Sequence, residues 1–256
     1  MFKIATWNVN SLKVRLFHVL TWIEEEKPDV LALQETKCVD ENFPVNEIKE
    51  AGYQVNFTGQ KTYNGVATIS KSQIKIISKS LPNYSDDQKR VLAISTRNII
   101  ILNIYVPNGS EINSEKYKYK LKWFSKLRPF IKKLQKETDR LIILGDFNIA
   151  PHDRDVHDPK EWEGCVLVCK PERDEFEKLL SNNMTDCFRI FNNENGHFSW
   201  WDYRAASFRR NRGVRIDHIL ASKSMSESCK ACYIDKNPRK LERPSDHTPV
   251  IAEFDI

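Results

Sequence analysis

The chain has 256 residues, of which 40% are hydrophobic and 29% charged, and 40 Lys and Arg against 35 Asp and Glu leave a net charge of +5. With 8 Gly and 11 Pro this is an ordinary globular composition, which excludes a collagen-like, low-complexity or disordered chain. Apolar runs such as Ile99–Ile101 and Leu141–Leu144 fall far short of the ~20 residues that span a bilayer.

The first strand signal is Phe2–Trp7. Ser11, an expected N-cap, then precedes Leu12, Leu16, Val19, Leu20 and Ile23 at helical spacing, with Pro28 beyond the end. Runs rich in Val and Ile and bounded by turn residues predict strands at Val30–Gln34, Gly65–Ser70, Ile74–Ser80, Arg90–Ser95 and Ile99–Tyr105. Tyr117, Leu121, Phe124, Leu127, Ile131 and Leu134 predict a second helix, which Pro129 should kink or break. A strand at Arg140–Leu144 and a helix from about Glu172 to Leu180 follow, and then strands at Val214–Leu220, Cys229–Ile234 and Pro249–Phe254. So many strands exceed one doubly wound sheet. Two sheets packed face to face with helices outside bury them best. Neither a repeat nor a Ser-, Gly- or Pro-rich linker divides residues 1–256, so a single domain is expected.

MFKIATWNVN lacks the apolar stretch and small-residue cleavage site of a signal peptide, so the expected location is cytoplasmic, with reduced cysteines. Cys229-x-x-Cys232 together with Cys165 and Cys169 supplies the count for a Cys₄ zinc site. However, the stretch CKACYI reads as a strand, and free Cys is a common core residue. The segment His152–Asp158 looks like a metal loop but has Asp158 where a calcium loop needs Gly, so it is read as a surface loop.

The informative feature is how the strands end. Trp7-Asn8-Val9-Asn10, Leu33-Gln34-Glu35-Thr36, Asn103-Ile104-Tyr105-Val106-Pro107-Asn108-Gly109, Gly145-Asp146-Phe147-Asn148, Arg215-Ile216-Asp217-His218 and Ser245-Asp246-His247 each place polar groups at or just past an apolar run. One such cluster would be an ordinary turn. Six of them, in a sheet sandwich, gather Glu35, Asp146, Asp217 and Asp246 with Asn8, Asn10, Asn148, Tyr105 and His247 at one rim. Carboxylates crowded there repel one another and lose hydration, which a hard cation relieves. Oxygen ligands without Cys suit magnesium. An Asp–His pair beside it supplies acid–base or electrostatic help.

These stretches, together with DVLALQETK, ENFPVNEI, GYQVNFTGQK, YNGVATIS, ILGDFNIAP, FSWWDYR and NRGVRIDHILAS, resemble the exonuclease III family of abasic-site endonucleases, within the endonuclease/exonuclease/phosphatase superfamily. GDFN and SDH mark the superfamily, while QETK, FSWWDYR and NRGVRID point to its DNA-repair branch, closest to bacterial exonuclease III. The resemblance implies a four-layer α/β sandwich, helix–sheet–sheet–helix, with mainly antiparallel sheets. It implies magnesium-dependent cleavage of the phosphodiester 5′ to an abasic site in duplex DNA, with 3′–5′ exonuclease and 3′-phosphatase or phosphodiesterase activity. Manganese is expected to substitute for magnesium. The expected partner is duplex DNA with abasic sites or blocked 3′ ends, bound by a monomer needing no membrane and no obligate protein partner.

Carried over residue by residue, Glu35 matches the principal magnesium ligand, with Asn8, Asp146, Asn148 and Asp246 around the metal. Asp146 matches the residue that orients or deprotonates the attacking water, and Asn148 the one that positions water and phosphate. His247, held by Asp217, would stabilise the phosphate's developing charge, and Tyr105 would touch phosphate or leaving group. Asn10, Lys37, Arg90, Trp200, Trp201, Asn211 and Arg212 match substrate-facing positions, the two Trp as pocket aromatics for a flipped abasic nucleotide. Arg209, Arg210 and Arg215 flank the same NRG segment and suggest phosphate contacts. Asn10 stands where some members carry Asp, and His218 where an apolar residue is usual. Lys116–Lys136 holds nine basic and no acidic residues, which reads as a solvated helix face or an auxiliary DNA track. Other superfamily reactions, on inositol phosphates, sphingolipids or undamaged DNA, form the alternative. The non-specific DNase branch has a second catalytic His where this chain has Tyr105. A binding module that has lost catalysis is disfavoured by the retained Glu35, Asp146, Asn148, Asp217 and His247.

Overall fold

The computed structural model describes residues 1–256. In chain order it contains β1 (Phe2–Asn8), α1 (Leu12–Glu26), β2 (Val30–Gln34), α2 (Val45–Glu50), β3 (Gln54–Thr58), β4 (Val66–Ser70), β5 (Lys75–Ser78), β6 (Val91–Thr96) and β7 (Ile99–Tyr105). There follow α3 (Glu115–Glu137), β8 (Leu141–Asp146), α4 (Lys170–Leu180), β9 (Met184–Asp186), α5 (Cys187–Phe191), β10 (Asp217–Ser222), α6 (Lys223–Ser228), β11 (Cys229–Ile234) and β12 (Val250–Phe254).

Two six-stranded sheets form, ordered β11-β12-β1-β2-β4-β3 and β5-β6-β7-β8-β10-β9. Each is antiparallel except for one central parallel pair, β1 with β2 and β7 with β8. Parallel neighbours need a crossover, and α1 and α3 supply the two. This repeated arrangement builds the site, because the carboxyl ends of all four central strands reach the same rim.

Side-chain alternation along the strands builds the layers. Ile4, Ala32, Ile94, Ile101, Leu144, Ile219 and Val250 fill the space between the sheets. The opposite parity of the first sheet, including Ala5, Trp7, Leu31 and Leu33, packs against Leu12, Val19, Trp22 and Ile23 of α1 and Ile48 of α2. The outer face of the second sheet packs against Trp123, Phe124, Leu127, Ile131 and Leu134 of α3 and Phe176 and Leu179 of α4. The four-layer α/β sandwich is therefore present.

Several local expectations need correction. Pro129 does not break α3, which runs unbroken from Glu115 to Glu137. The buried stripe on either side of it outweighs the one backbone bond that Pro removes. Ser11 stands before α1 but makes no side-chain capping bond. Its φ is +90°, and its amide donates to Glu35 O at 2.8 Å. Val214–Ile216 lie ahead of β10, where Val214 instead bridges Val156 and Trp200. The strands β3 and β9 are not among those expected from the sequence, although Val55 and Phe57 alternate in β3. β3 is a sheet edge with mostly half-buried residues, and β9 has three residues. Cys229 and Cys232 lie in β11 and, with Cys187, pack into the inter-sheet core. No helix is long and apolar enough to cross a membrane.

Candidate active site

Asn8 and Glu35 end or follow β1 and β2, and Tyr105 and Asp146 end β7 and β8. Beneath them a polar staple joins the sheets. Gln34 Nε2 donates to Asn103 Oδ1 at 2.8 Å, and Asn103 Nδ2 donates to Ala67 O at 2.8 Å and Leu33 O at 3.2 Å. All these groups are buried and paired, so the staple fixes one sheet against the other at the site end.

Glu35, Asp146 and His247 each offer a ligand atom within 4.8 Å of one another. The Asn8 amide bridges the two acids, donating at 2.9 Å to Glu35 Oε1 and at 2.9 Å to Asp146 Oδ2. Lys37 Nζ lies 2.9 Å from Glu35 Oε2 and donates to Asn10 Oδ1 at 2.6 Å. Asn10 Nδ2 donates to Asp246 Oδ1 at 2.9 Å, and Trp200 Nε1 donates to Asp246 Oδ2 at 2.9 Å. Each Asp246 oxygen thus accepts one hydrogen bond, and Asp246 lies outside the Glu35–Asp146–His247 group.

His247 Nδ1 is 2.8 Å from Asp217 Oδ2, and His247 Nε2 is 3.8 Å from Asp146 Oδ2. Ser199, which the sequence did not mark, fixes the Asp217 end. Its hydroxyl donates to Asp217 Oδ2 at 2.6 Å and accepts the amides of Ile216 and Asp217. Ser199 lies inside FSWWDYR, so a signal existed, but a serine beside two tryptophans attracts no notice.

Asn148 follows Asp146 with φ +49°, and its amide donates to Asp146 Oδ1 at 2.9 Å. Asn148 Nδ2 donates to Val106 O at 2.9 Å, and Asn148 Oδ1 accepts from Asn108 Nδ2 at 3.0 Å. Asn108 was also unmarked, though it belongs to one of the strand-end clusters. Positive φ recurs at Asn10, Ser11, Glu35 and Lys37. Non-Gly residues held there concentrate at functional sites, where the surroundings over-determine the backbone.

Burial raises the Asp146 carboxyl to about 7; His247 and Asn8 oppose the rise, while Asp217 and Glu35 add to it. Burial alone would lower His247, but Asp217 and Asp146 outweigh it and lift the imidazole to about 10. The rim thus holds a cationic imidazole between two acids. The Tyr105 hydroxyl is pushed well above its usual range, first by burial and then by Glu35 and Asp146, so it stays protonated as a donor.

Several expected substrate contacts fall elsewhere. Arg90 is buried, stacked 4.5 Å over the Tyr105 ring, and donates to Tyr105 O at 3.2 Å, so it orients Tyr105 rather than facing solvent. The two tryptophans divide. Trp200 is half-buried and borders a surface depression of about 420 Å³ with Trp162, His157 and Arg212. Trp201 is fully buried, edge-on to Phe208, with Nε1 donating to Asn211 Oδ1 at 3.3 Å, so it supports the Asn211 loop and offers no face to a ligand. Arg212 pairs with Glu161, and Asn211, Arg209 and Arg210 are exposed. Arg215 is not a phosphate contact. It is buried, with Nε 2.6 Å from Asp155 Oδ1 and Nη2 2.8 Å from Asp186 Oδ2. Asp155 is accordingly no surface-loop residue, since it is fully buried beside Arg215 and Arg189. His218 packs edge-on against Phe147 and, through Nδ1, lies 3.0 Å from Arg215 Nη1.

Residues 5–247 match the model of the Endonuclease/Exonuclease/phosphatase family. The chain is 36% identical to exodeoxyribonuclease III of Haemophilus influenzae, covering 98% of this chain and 99% of that protein. It is 31% identical to an exodeoxyribonuclease of Bacillus subtilis, covering 97% of each. Among solved structures, the 3′ phosphatase NExo from Neisseria bound to a product DNA hairpin superposes with a TM-score of 0.96 at 42% identity over the whole of both chains. An AP endonuclease from Archaeoglobus fulgidus superposes with a TM-score of 0.95 at 38% identity, again over the whole of both chains.

Proposed function

Because the chain belongs to the endonuclease/exonuclease/phosphatase family, we propose that it is a DNA-repair nuclease hydrolysing phosphodiesters 5′ to abasic sites and phosphate or phosphodiester blocks at 3′ ends. One observation carries the reading. Two carboxylates, an Asp-held imidazolium and a protonated Tyr hydroxyl converge at the rim of a sandwich that resembles DNA-repair nucleases along its entire length. The reading includes magnesium as cofactor, a cytoplasmic location and a monomer acting as one domain.

The donor set fits a hard divalent cation. Glu35 and Asp146 present oxygens within reach of one ion, and Asp146 is raised by burial, with Asp217 and Glu35 adding to the rise. Glu35 would hold the ion, with Asp146 facing it and Asn8 orienting both carboxylates. When bound, the ion supplies Lewis-acid stabilisation of a phosphate oxygen.

The chain's own groups do the rest. Asp146 is placed to orient water and take its proton, and Asn148, fixed by Val106 O and Asn108, sets the water and phosphate relative to it. His247, kept cationic by Asp217, faces the phosphate charge that grows in the transition state. Tyr105 holds a proton near the leaving oxygen. Trp200 walls the side where an extruded abasic sugar would lie, and Asn10, Lys37 and Arg212 line the approach of the DNA backbone.

The test is a labelled duplex with one synthetic abasic site, beside a duplex with a 3′-phosphate and an undamaged control, in magnesium and in EDTA. A magnesium-dependent nick 5′ to the lesion and release of the 3′-phosphate are expected, with EDTA abolishing both. Cleavage of inositol phosphate or sphingolipid but of no duplex would overturn the reading.

A further inference from the structure

Of the nine basic residues between Lys116 and Lys136, Lys120 alone is buried, with no exposed surface. Its ammonium has three protons and three acceptors. They are Asn148 O at 2.6 Å, Asn108 O at 3.1 Å and the carboxylate of Glu172. Glu172 is also fully buried, in the first turn of α4, and its second oxygen accepts from Cys169 Sγ at 2.8 Å. The thiol in turn lies 2.8 Å from the Tyr117 hydroxyl on α3. A closed chain of partners thus runs from two outer helices to the backbone of Asn108 and Asn148, the residues whose side chains meet at 3.0 Å on the rim.

We propose that Lys120, seated by Glu172, is a positioning residue that pins the β7 and β8 end loops together and so fixes the Asn108–Asn148 pair at the reacting phosphate. The proposal rests on the function given above. It explains two features that stability alone does not. A buried ion pair seldom adds stability over apolar residues of the same volume, so its value lies in holding a geometry. Asn148 also sits at φ +49°, a left-handed conformation that Asn tolerates, and Lys120 binds its carbonyl directly and so holds it in one place. Gly109 permits the approach, since a Cβ there would come within 3.3 Å of Lys120 Cδ.

The experiment compares Lys120→Met with the double variant Lys120→Met/Glu172→Gln, which leaves no buried charge unpaired. Melting temperature, kcat and KM on the abasic and 3′-phosphate duplexes, and the Asn148 side-chain amide resonance of the intact protein are measured. The double variant should regain melting temperature over the single one while its kcat stays down about 10- to 100-fold, with KM for DNA within about twofold of wild type and the Asn148 amide shifted. A purely structural role predicts the opposite, with kcat returning together with melting temperature, and that result would overturn the proposal. If Lys120→Met does not fold, the double variant decides by itself, and wild-type kcat there refutes the positioning role. Wild-type protein inactive on both duplexes would overturn the function proposed above instead. The Asn148 resonance then decides separately, and an unshifted amide refutes the positioning.

Discussion

Replacing Arg215 with Met should remove a stability anchor and not a DNA contact. The guanidinium is buried between Asp155 at 2.6 Å, Asp186 at 2.8 Å and the His218 ring nitrogen at 3.0 Å, joining the 152–158 loop to β9 and β10. Met fills much of the volume but leaves Asp186 buried without its cation and Asp155 with Arg189 alone, which costs about 3–5 kcal/mol. For a domain of this size each kcal/mol lowers the melting temperature by about 2 °C, so a fall of roughly 6–10 °C is expected by circular dichroism at pH 7.5. Arg212→Met, at the exposed pair with Glu161, should cost under ~1 kcal/mol and serves as the control. The pH dependence gives the sign. Asp155 and Asp186 are both held below the ordinary carboxylate range: burial works against the charge, and Arg215 outweighs it. Their contribution is therefore present above an unfolded pKa of ~4 and is lost as pH falls through the lower folded values. Burial, aided by Arg215, lowers His218 to about 4, so the unfolded chain takes up a proton near pH 6.5 that the folded chain refuses until about 4. Wild-type stability therefore falls between those pH values. Without Arg215 the folded acids and His218 accept protons more readily, so the gap between variant and wild type should narrow from pH 7.5 to pH 5. A melting temperature within 2 °C of wild type, or a gap that widens in acid, would refute this account.

Three further outcomes are expected. Asp146→Asn and His247→Asn should each lower turnover by at least ~10²-fold while leaving duplex binding near wild type, read by single-turnover cleavage beside fluorescence anisotropy; near-normal turnover in either removes the role assigned to it. Trp200→Ala should raise KM for the abasic duplex with little change in melting temperature. Trp201→Ala, emptying a fully buried position, should cost about 3–5 kcal/mol of stability, and thermal melts compared with steady-state kinetics separate the two.

Read alone, the sequence determined the layer architecture, because strand alternation and helical spacing are local and most of the apolar runs are strong. It also determined the rim, because Asn8, Glu35, Tyr105, Asp146 and His247 each stand at or beside a strand end, and strand ends on one side of a sandwich must meet. Burial and partners it could not decide. Arg215 and Arg212 stand three residues apart in one basic segment, yet one is sealed between two acids and the other pairs at the surface. Lys120 reads like the eight cations around it, and only the packing of α3 against α4 and two strand-end loops takes it out of water. Trp200 and Trp201 are neighbours whose side chains take opposite faces of an extended segment, one to the rim and one to the core. Sequence fixes which groups a chain can bring. The tertiary structure alone sets which of them lose their water, because burial is a property of the surroundings that distant segments supply.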